Sequence, residues 1–163
     1  MVRDEIVKEL EGLPDSELES ILRLIRAKKD TYHRPLAFVQ ELMGFTQTDR
    51  QEDVFRYEMR VTDDLVNRYG LLHGGLMTAF IDTAMAETAF LLDQSIERAL
   101  TLNIAVDFIR PGQPGDVLHA EIRVVQNSRV MIVFQSTVTN PKGETVATAM
   151  AHFYKQYKHQ GSK

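Results

Sequence analysis

His73-Gly74-Gly75 stands directly before a run of apolar residues that carries a single carboxylate, Asp82. Two glycines at the start of a helix let another group approach main-chain N–H donors at the positive end of the helix dipole. That arrangement suits an anion or an oxyanion; it equally suits a tight turn that lets a buried helix begin close to its neighbours. Asp82 is harder to explain by packing. It sits between Ile81 and Ala84, aspartate is a poor helix former there, and burying an unpaired carboxylate costs on the order of several kcal/mol. Either a hydrogen-bonding partner holds it as a structural group, or the surrounding cavity tunes it as a general base or nucleophile. Glu87 falls elsewhere on the helix and reads as an edge or solvent residue.

Asn67 lies in a stretch of turn formers, where its amide could position water or close an Asx-turn. His73 could orient a ligand carbonyl or the glycine loop itself. His33, His119, His152 and His159 occur singly, with no i, i+4 pair, so the spacing provides no metal site and no cofactor is expected. The Gly-x-Ser-x-Gly elbow, the P-loop and the dinucleotide fingerprint are absent. The chain has no cysteine, which removes disulfides, thiolate catalysis and thiolate metal sites together.

Positioning these groups falls to a helix over residues 75–92 that has almost no polar face and is expected to be surrounded by protein. A strand is expected at residues 54–61, where apolar residues alternate with charges from Phe55 onward. Four more follow at 100–109, 117–126, 130–140 and 144–154, separated by Pro111-Gly112-Gln113-Pro114-Gly115-Asp116, Asn127-Ser128 and Pro141-Lys142-Gly143, so the last strands should form an antiparallel meander. In residues 100–108 the even positions are apolar and the odd ones small or polar, which gives one core face. The fold class is α+β: an antiparallel sheet must curl around the apolar helix, and a second copy of the chain is the simplest way to close the remaining side and pair exposed strand edges.

Residues 1–34 read as an N-terminal helical extension, with Leu18, Ile21, Leu22 and Ile25 in one stripe and Pro14, Asp15 and the Ser16/Glu19 pair as start signals. Pro35 resets the chain, residues 36–43 suggest a short helix ending at Gly44, and the main domain is expected over 35–158. The extension carries seven Lys/Arg against eight Asp/Glu, too little positive charge to neutralise phosphates. With 163 residues, 44% hydrophobic, 26% charged and a net charge of −4, the chain is an ordinary globular domain with an appendage, and neither nucleic acid nor membrane is an expected partner. The first residues have no apolar signal core, and apolar runs look too short for a membrane span, so a cytoplasmic location is expected.

In order and spacing, Asn67, His73-Gly74-Gly75, Asp82, Thr101 and Phe108-Ile109-Arg110-Pro111 with Gly115 resemble the hotdog-fold acyl-CoA thioesterases of the phenylacetate-degradation type. The match runs over about residues 36–155 and is specific from Asn67 to Asp82; the extension lies outside it. The resemblance implies a curled antiparallel sheet around a long central helix, and dimers, often paired again into tetramers, with active sites in the dimer seam. It implies that the Gly74 N–H polarises a thioester carbonyl, beside Gly75, and that Asp82 of the facing subunit activates water or attacks the carbonyl. Asn67 would hold the water or the carbonyl, His73 would shape the glycine loop, and Thr101 would bond near the carboxylate. Arg110 and Arg129, each beside a turn, are the candidates for the Coenzyme A phosphates, with Arg68 and Lys155 as substitutes.

Two other functions fit the same scaffold. One is a non-catalytic sensor that binds acyl-CoA or acyl chains and signals through the N-terminal helices, although a pure binder has no need of a carboxylate beside an oxyanion donor. The other is an acyl-CoA hydratase or dehydratase, which wants an acid/base pair such as aspartate with histidine, and His73 is the only histidine close in sequence.

Overall fold

A computed structural model of the chain describes residues 1–32 and 38–158. His33, Pro35 and His159, and with them the break expected between 34 and 35, lie outside the described residues. The chain divides into two compact units, Met1–Leu42 and Met43–Lys163. The first holds helix α1 (Val2–Leu10), helix α2 (Asp15–Asp30) and the start of a short helix α3 (Phe38–Met43). Pro14 occupies the N-cap of α2 and acidic Asp15 and Glu17 fill its first turn, where the helix dipole favours negative charge.

In the second unit six strands form one antiparallel sheet: β1 (Thr46–Gln51), β2 (Val54–Arg60), β3 (Ile96–Phe108), β4 (Val117–Asn127), β5 (Met131–Thr139) and β6 (Thr145–Tyr157), in the order β1-β2-β4-β5-β6-β3. The alternation in β2 is that of a half-buried strand: Phe55, Tyr57 and Met59 point inward and are buried. They pair with Ile122, Ala120 and Leu118 of β4, so the pleat gives every strand one core face. The inward positions of β6 include Ala147, Ala149 and Ala151, whose small side chains let a helix lie close to the sheet.

That helix is α4 (Gly74–Leu92). Met77, Phe80, Ile81, Ala84, Met85 and Ala89 are buried, a repeat of three and four residues that marks the face against the sheet. The helix is not surrounded as its composition suggested, because Thr78, Ala79, Asp82, Thr83 and Ala86 are only half-buried within one chain. Its 19 residues and mean hydropathy of 1.3 are enough to span a membrane by length and composition, which corrects the expectation that no run is long enough. The packing of its buried face against the sheet accounts for that composition.

β3 is an edge strand, paired with β6 alone. Its even positions are not all core: Leu100, Leu102 and Phe108 are exposed while Ile104 and Val106 are half-buried. The register shifts between Thr101 and Asn103, a β-bulge at Leu102 that breaks the alternation.

At the centre of the core the buried Tyr57 hydroxyl lies 2.8 Å from Thr88 Oγ1, which itself donates to Ala84 O one turn earlier. Thr88 has one proton, so Tyr57 donates. Burial above all, with the Glu87 charge adding to it, pushes the Tyr57 hydroxyl from 10.0 up to about 12. Below pH 10 both folded and unfolded chains keep this proton. Between about 10 and 12 only the unfolded chain releases it, so stability should fall by up to about 1.4 kcal/mol per pH unit. Tyr57→Phe is expected to cost about 1 kcal/mol at neutral pH and to flatten the loss above pH 10. Urea titrations at a series of alkaline pH values measure both, and equal alkaline slopes for the two proteins would contradict the assignment.

Candidate active site

A loop pinned at several points sets the start of α4. Within it Asn67 Oδ1 accepts from Tyr69 N–H at 2.8 Å and, more weakly, from Leu71 N–H at 3.4 Å. The Asn67 main-chain N–H donates to Leu71 O at 2.7 Å, and Gly70, at φ 71°, completes the reversal. The Asx-turn is therefore real and uses the amide oxygen; the amide NH₂ has no partner among the described residues. His73 N–H donates to Leu65 O at 2.9 Å and Leu72 N–H to Gly112 O at 3.0 Å, which ties the helix start to both neighbouring loops. A side chain on Gly112 would come within 3.2 Å of Leu72, so the second loop needs glycine to approach so closely.

His73 is the N-cap of α4, and its Nδ1 accepts from Gly75 N–H at 2.9 Å. A β-carbon on Gly75 would lie 3.1 Å from that nitrogen. Gly75 thus serves the imidazole cap, while the Gly74 N–H has no acceptor among the described residues. Gly74 itself faces the ring of Phe108, 3.4 Å from where a β-carbon would be.

Gly74, Asn67, Phe108 and Arg110 line one cavity of about 290 Å³, together with Leu72 and Gly112. Asn67, the free N–H at the positive end of a 19-residue helix and Arg110 thus belong to one lining, which suits a polarised carbonyl. Arg110 donates to Thr145 O at 2.9 Å, which fixes the guanidinium near the cavity wall. Sequence read Phe108 only as part of the Phe108-Ile109-Arg110-Pro111 motif and Gly112 only as turn material, with no place at the site for either; a phenylalanine left 57% exposed at a strand end is the signal that structure adds.

Asp82 stands two turns into α4, eight residues from Gly74, or about 12 Å along the axis. Its Oδ1 accepts from Thr101 Oγ1 at 2.7 Å. Thr101 pairs with the buried Phe153, and Ile104 with the buried Ala151, so both point to the helix side although strict alternation would put them on opposite faces. The bulge at Leu102 turns the hydroxyl onto the carboxylate. Asp82 is half-buried rather than enclosed, and it does not line the cavity of Gly74. A single chain therefore keeps two groups of candidate residues apart, Asn67, His73 and Gly74 in one and Asp82 with Thr101 in the other.

Arg129 lies in the β4–β5 turn, at the end of the sheet where Val130 O accepts from Lys155 N–H, whereas Arg110 adjoins Val146 and Thr145 at the opposite end. One chain does not bring the two arginines together. Lys155 is buried, with its ammonium 2.7 Å from Asn127 Oδ1, and Arg68 bonds the Tyr69 hydroxyl. Among the described residues no three histidine, aspartate or glutamate side chains cluster closely enough to hold a metal.

A family model for the thioesterase superfamily matches residues 69–147, from the loop before α4 into β6. The chain is 30% identical over 89 residues to the acyl-coenzyme A thioesterase PaaI of Escherichia coli K12, covering 55% of this chain and 61% of that protein; it thus spans less than two thirds of that relative's length. Among solved structures, a Streptococcus mutans protein bound to acetyl CoA is 25% identical with a TM-score of 0.64, over 71% of this chain and 91% of the other. The Escherichia coli PaaI structure gives a TM-score of 0.68 at 23% identity, over 82% and 94% of the two chains. These neighbours share the hotdog fold, a curled antiparallel sheet around a central helix.

The cap makes a checkable coupling. His73→Ala should cost about 0.5–2 kcal/mol of stability in the parent chain. In a Gly75→Ala background, where the new methyl crowds the imidazole and the ring must shift by a few tenths of an ångström, the same change should cost less. Chemical unfolding of the four proteins gives the coupling energy; additive losses would mean that the His73–Gly75 bond does not hold the helix start.

Proposed function

We propose that the chain, a hotdog domain whose residues 69–147 match the thioesterase superfamily, hydrolyses an acyl-CoA thioester to a carboxylate and free Coenzyme A. The observation that carries this reading is the pair of half-sites: a free N–H at the helix start that opens, with Asn67, on a cavity, and a threonine-held carboxylate two turns along the same helix.

The reaction needs both over one carbonyl. About 12 Å separates them in one chain, so the second half comes from another copy. The unpaired edge of β3, with exposed Leu100 and Leu102 and half-open Ile104 and Val106, supports pairing with β3 of that copy, since a long apolar edge left open invites association. A two-fold axis passing near Thr78, midway between Gly74 and Asp82, sets each glycine against the other copy's aspartate. The same pairing covers the small, half-open face of α4.

In that dimer the Gly74 N–H donates to the thioester oxygen as it gains negative charge, an interaction worth on the order of a few kcal/mol at the transition state. Asp82 takes a proton from water as the water oxygen bonds to the acyl carbon, or its own carboxylate makes that bond and forms a mixed anhydride that water hydrolyses after Coenzyme A has left. The carbon–sulfur bond then breaks and Coenzyme A leaves as thiolate, a good enough leaving group that one carboxylate and an oxyanion hole suffice. Thr101 keeps Asp82 aimed by donating to one oxygen and leaving the other to react. Asn67 uses its free NH₂ on the carbonyl or the water. Arg110 is the basic group for the Coenzyme A phosphates on this side of the cavity, and Arg129 would reach it only from another copy. One nitrogen of His73 is committed to the helix cap, which fits a role in shaping the loop better than the proton transfer a hydratase would ask of it.

Thiol release from a panel of acyl-CoAs tests the assignment. Asp82→Asn should lower kcat at least about 100-fold. Gly74→Pro removes the N–H at the first helical position, where proline is well tolerated, and should lower kcat by about 100- to 1000-fold with little change in KM. Turnover by Asp82→Asn at the parent rate would remove Asp82 from the chemistry, and absence of turnover by the parent on every thioester would favour a binding protein.

A further inference from the structure

The N-terminal helix α2 has a surface pattern that the hydrolytic reading does not use. Leu18, Ile21, Leu22 and Ile25 form a stripe along it; Leu22 and Ile25 are 43% and 42% exposed, while Leu18 and Ile21 are half-buried. The charges along the helix are largely sorted: Asp15, Glu17 and Glu19 come first and Arg23, Arg26, Lys28 and Lys29 follow, with Asp30 closing the helix. Acid first and base last suits the dipole of a single helix, and the spacing also offers Glu19 with Arg23 and Arg26 with Asp30 as i, i+4 pairs. Here no ion pair among the described residues engages Glu19 or Arg26, and the Lys28 ammonium lies over the Tyr32 ring at 5.8 Å.

The arrangement is self-complementary in one orientation. Glu19 follows Leu18 and Arg26 follows Ile25, so the two flank the stripe on one side; Glu17 and Lys28 flank it on the other. The positions of each pair sum to the same value, 19 + 26 = 45 and 17 + 28 = 45. An antiparallel copy of the helix, turned about a two-fold axis just beyond Leu22, therefore meets Glu19 with Arg26 and Glu17 with Lys28, on both flanks at once. The stripes coincide along the axis, with Leu22 of each copy nearest it. In the parallel orientation acidic half would lie against acidic half and basic against basic, which is repulsive.

We propose that α2 is an association surface whose partner is α2 of a second copy of this chain, packed antiparallel through Leu18, Ile21, Leu22 and Ile25, with orientation set by Glu19–Arg26 and Glu17–Lys28 contacts. A 16-residue helix is marginal alone. Attachment to a domain that itself associates would raise its effective concentration, and the helix pair would in turn tie the larger assembly together. The inference does not rest on the chemistry proposed above; only the gain in effective concentration rests on the association proposed there.

Disulfide trapping in the full-length chain tests it, since the protein has no cysteine of its own. Leu22→Cys should cross-link readily under mild oxidation, and Ser16→Cys, on the opposite face, should not. Placed in the Leu22→Cys chain, Glu19→Arg or Arg26→Glu alone should slow cross-linking about tenfold, and the two together should restore it. Equal trapping at positions 16 and 22 would overturn the surface. Trapping at 22 that ignores both reversals, or that the double reversal fails to rescue, would overturn the antiparallel pairing.

Discussion

The structure turns on a helix that one chain cannot finish covering. α4 is apolar nearly all round, yet a six-stranded sheet reaches only the face that carries Phe80, Ile81, Ala84 and Met85. The open face holds the small residues Thr78, Ala79 and Ala86 with Asp82 among them, and the strand next to it in space, β3, has a free edge. Burial of apolar area is the main favourable term in folding and association alike, so the demand for cover and the demand for a complete site have the same remedy. A carboxylate that would be expensive deep inside a monomer would be tolerable at the proposed seam, where Thr101 supplies its hydrogen bond and a ligand could reach it.

Local chemistry prepares each half-site before any association. His73 caps the helix and needs Gly75 to make room; Gly112 lets the neighbouring loop touch Leu72; Asn67 folds its own loop with the oxygen of its amide and keeps the NH₂ free. These contacts hold the Gly74 N–H still without a partner, which is the condition under which a donor stabilises developing charge at little reorganisation cost. On the other side the bulge at Leu102 aims Thr101 inward at the carboxylate.

Much of this was legible in the chain. The long helix announces itself by continuous apolarity, and the last three strands by alternation and by proline, glycine and asparagine at their turns. β1 escaped because Thr46–Gln51 is polar throughout and wholly exposed; it pairs with β2 through its backbone, which leaves no apolar period to read. β3 begins at Ile96 rather than at 100, since the charged Glu97 and Arg98 mask a strand start. The side of β3 that Thr101 faces could not be read either, because a bulge without glycine has no compositional mark and shifts every later residue to the other face. The half-exposure of Asp82 was hidden for a different reason: pattern shows that a helix is apolar, and only the sheet's width shows how much of it one chain can wrap.

Sharing of each site between two copies is the central claim, and subunit complementation measures it most directly. Gly74→Pro and Asp82→Asn chains, each inactive alone, would be co-expressed or refolded together and assayed for thiol release. Random pairing makes half the dimers mixed, and each mixed dimer holds one site with both an intact Gly74 and an intact Asp82, so activity should return to about a quarter of the parent's. If the mixture stays as inactive as its components while mixed dimers are shown to form, glycine and aspartate act within one chain and the account fails.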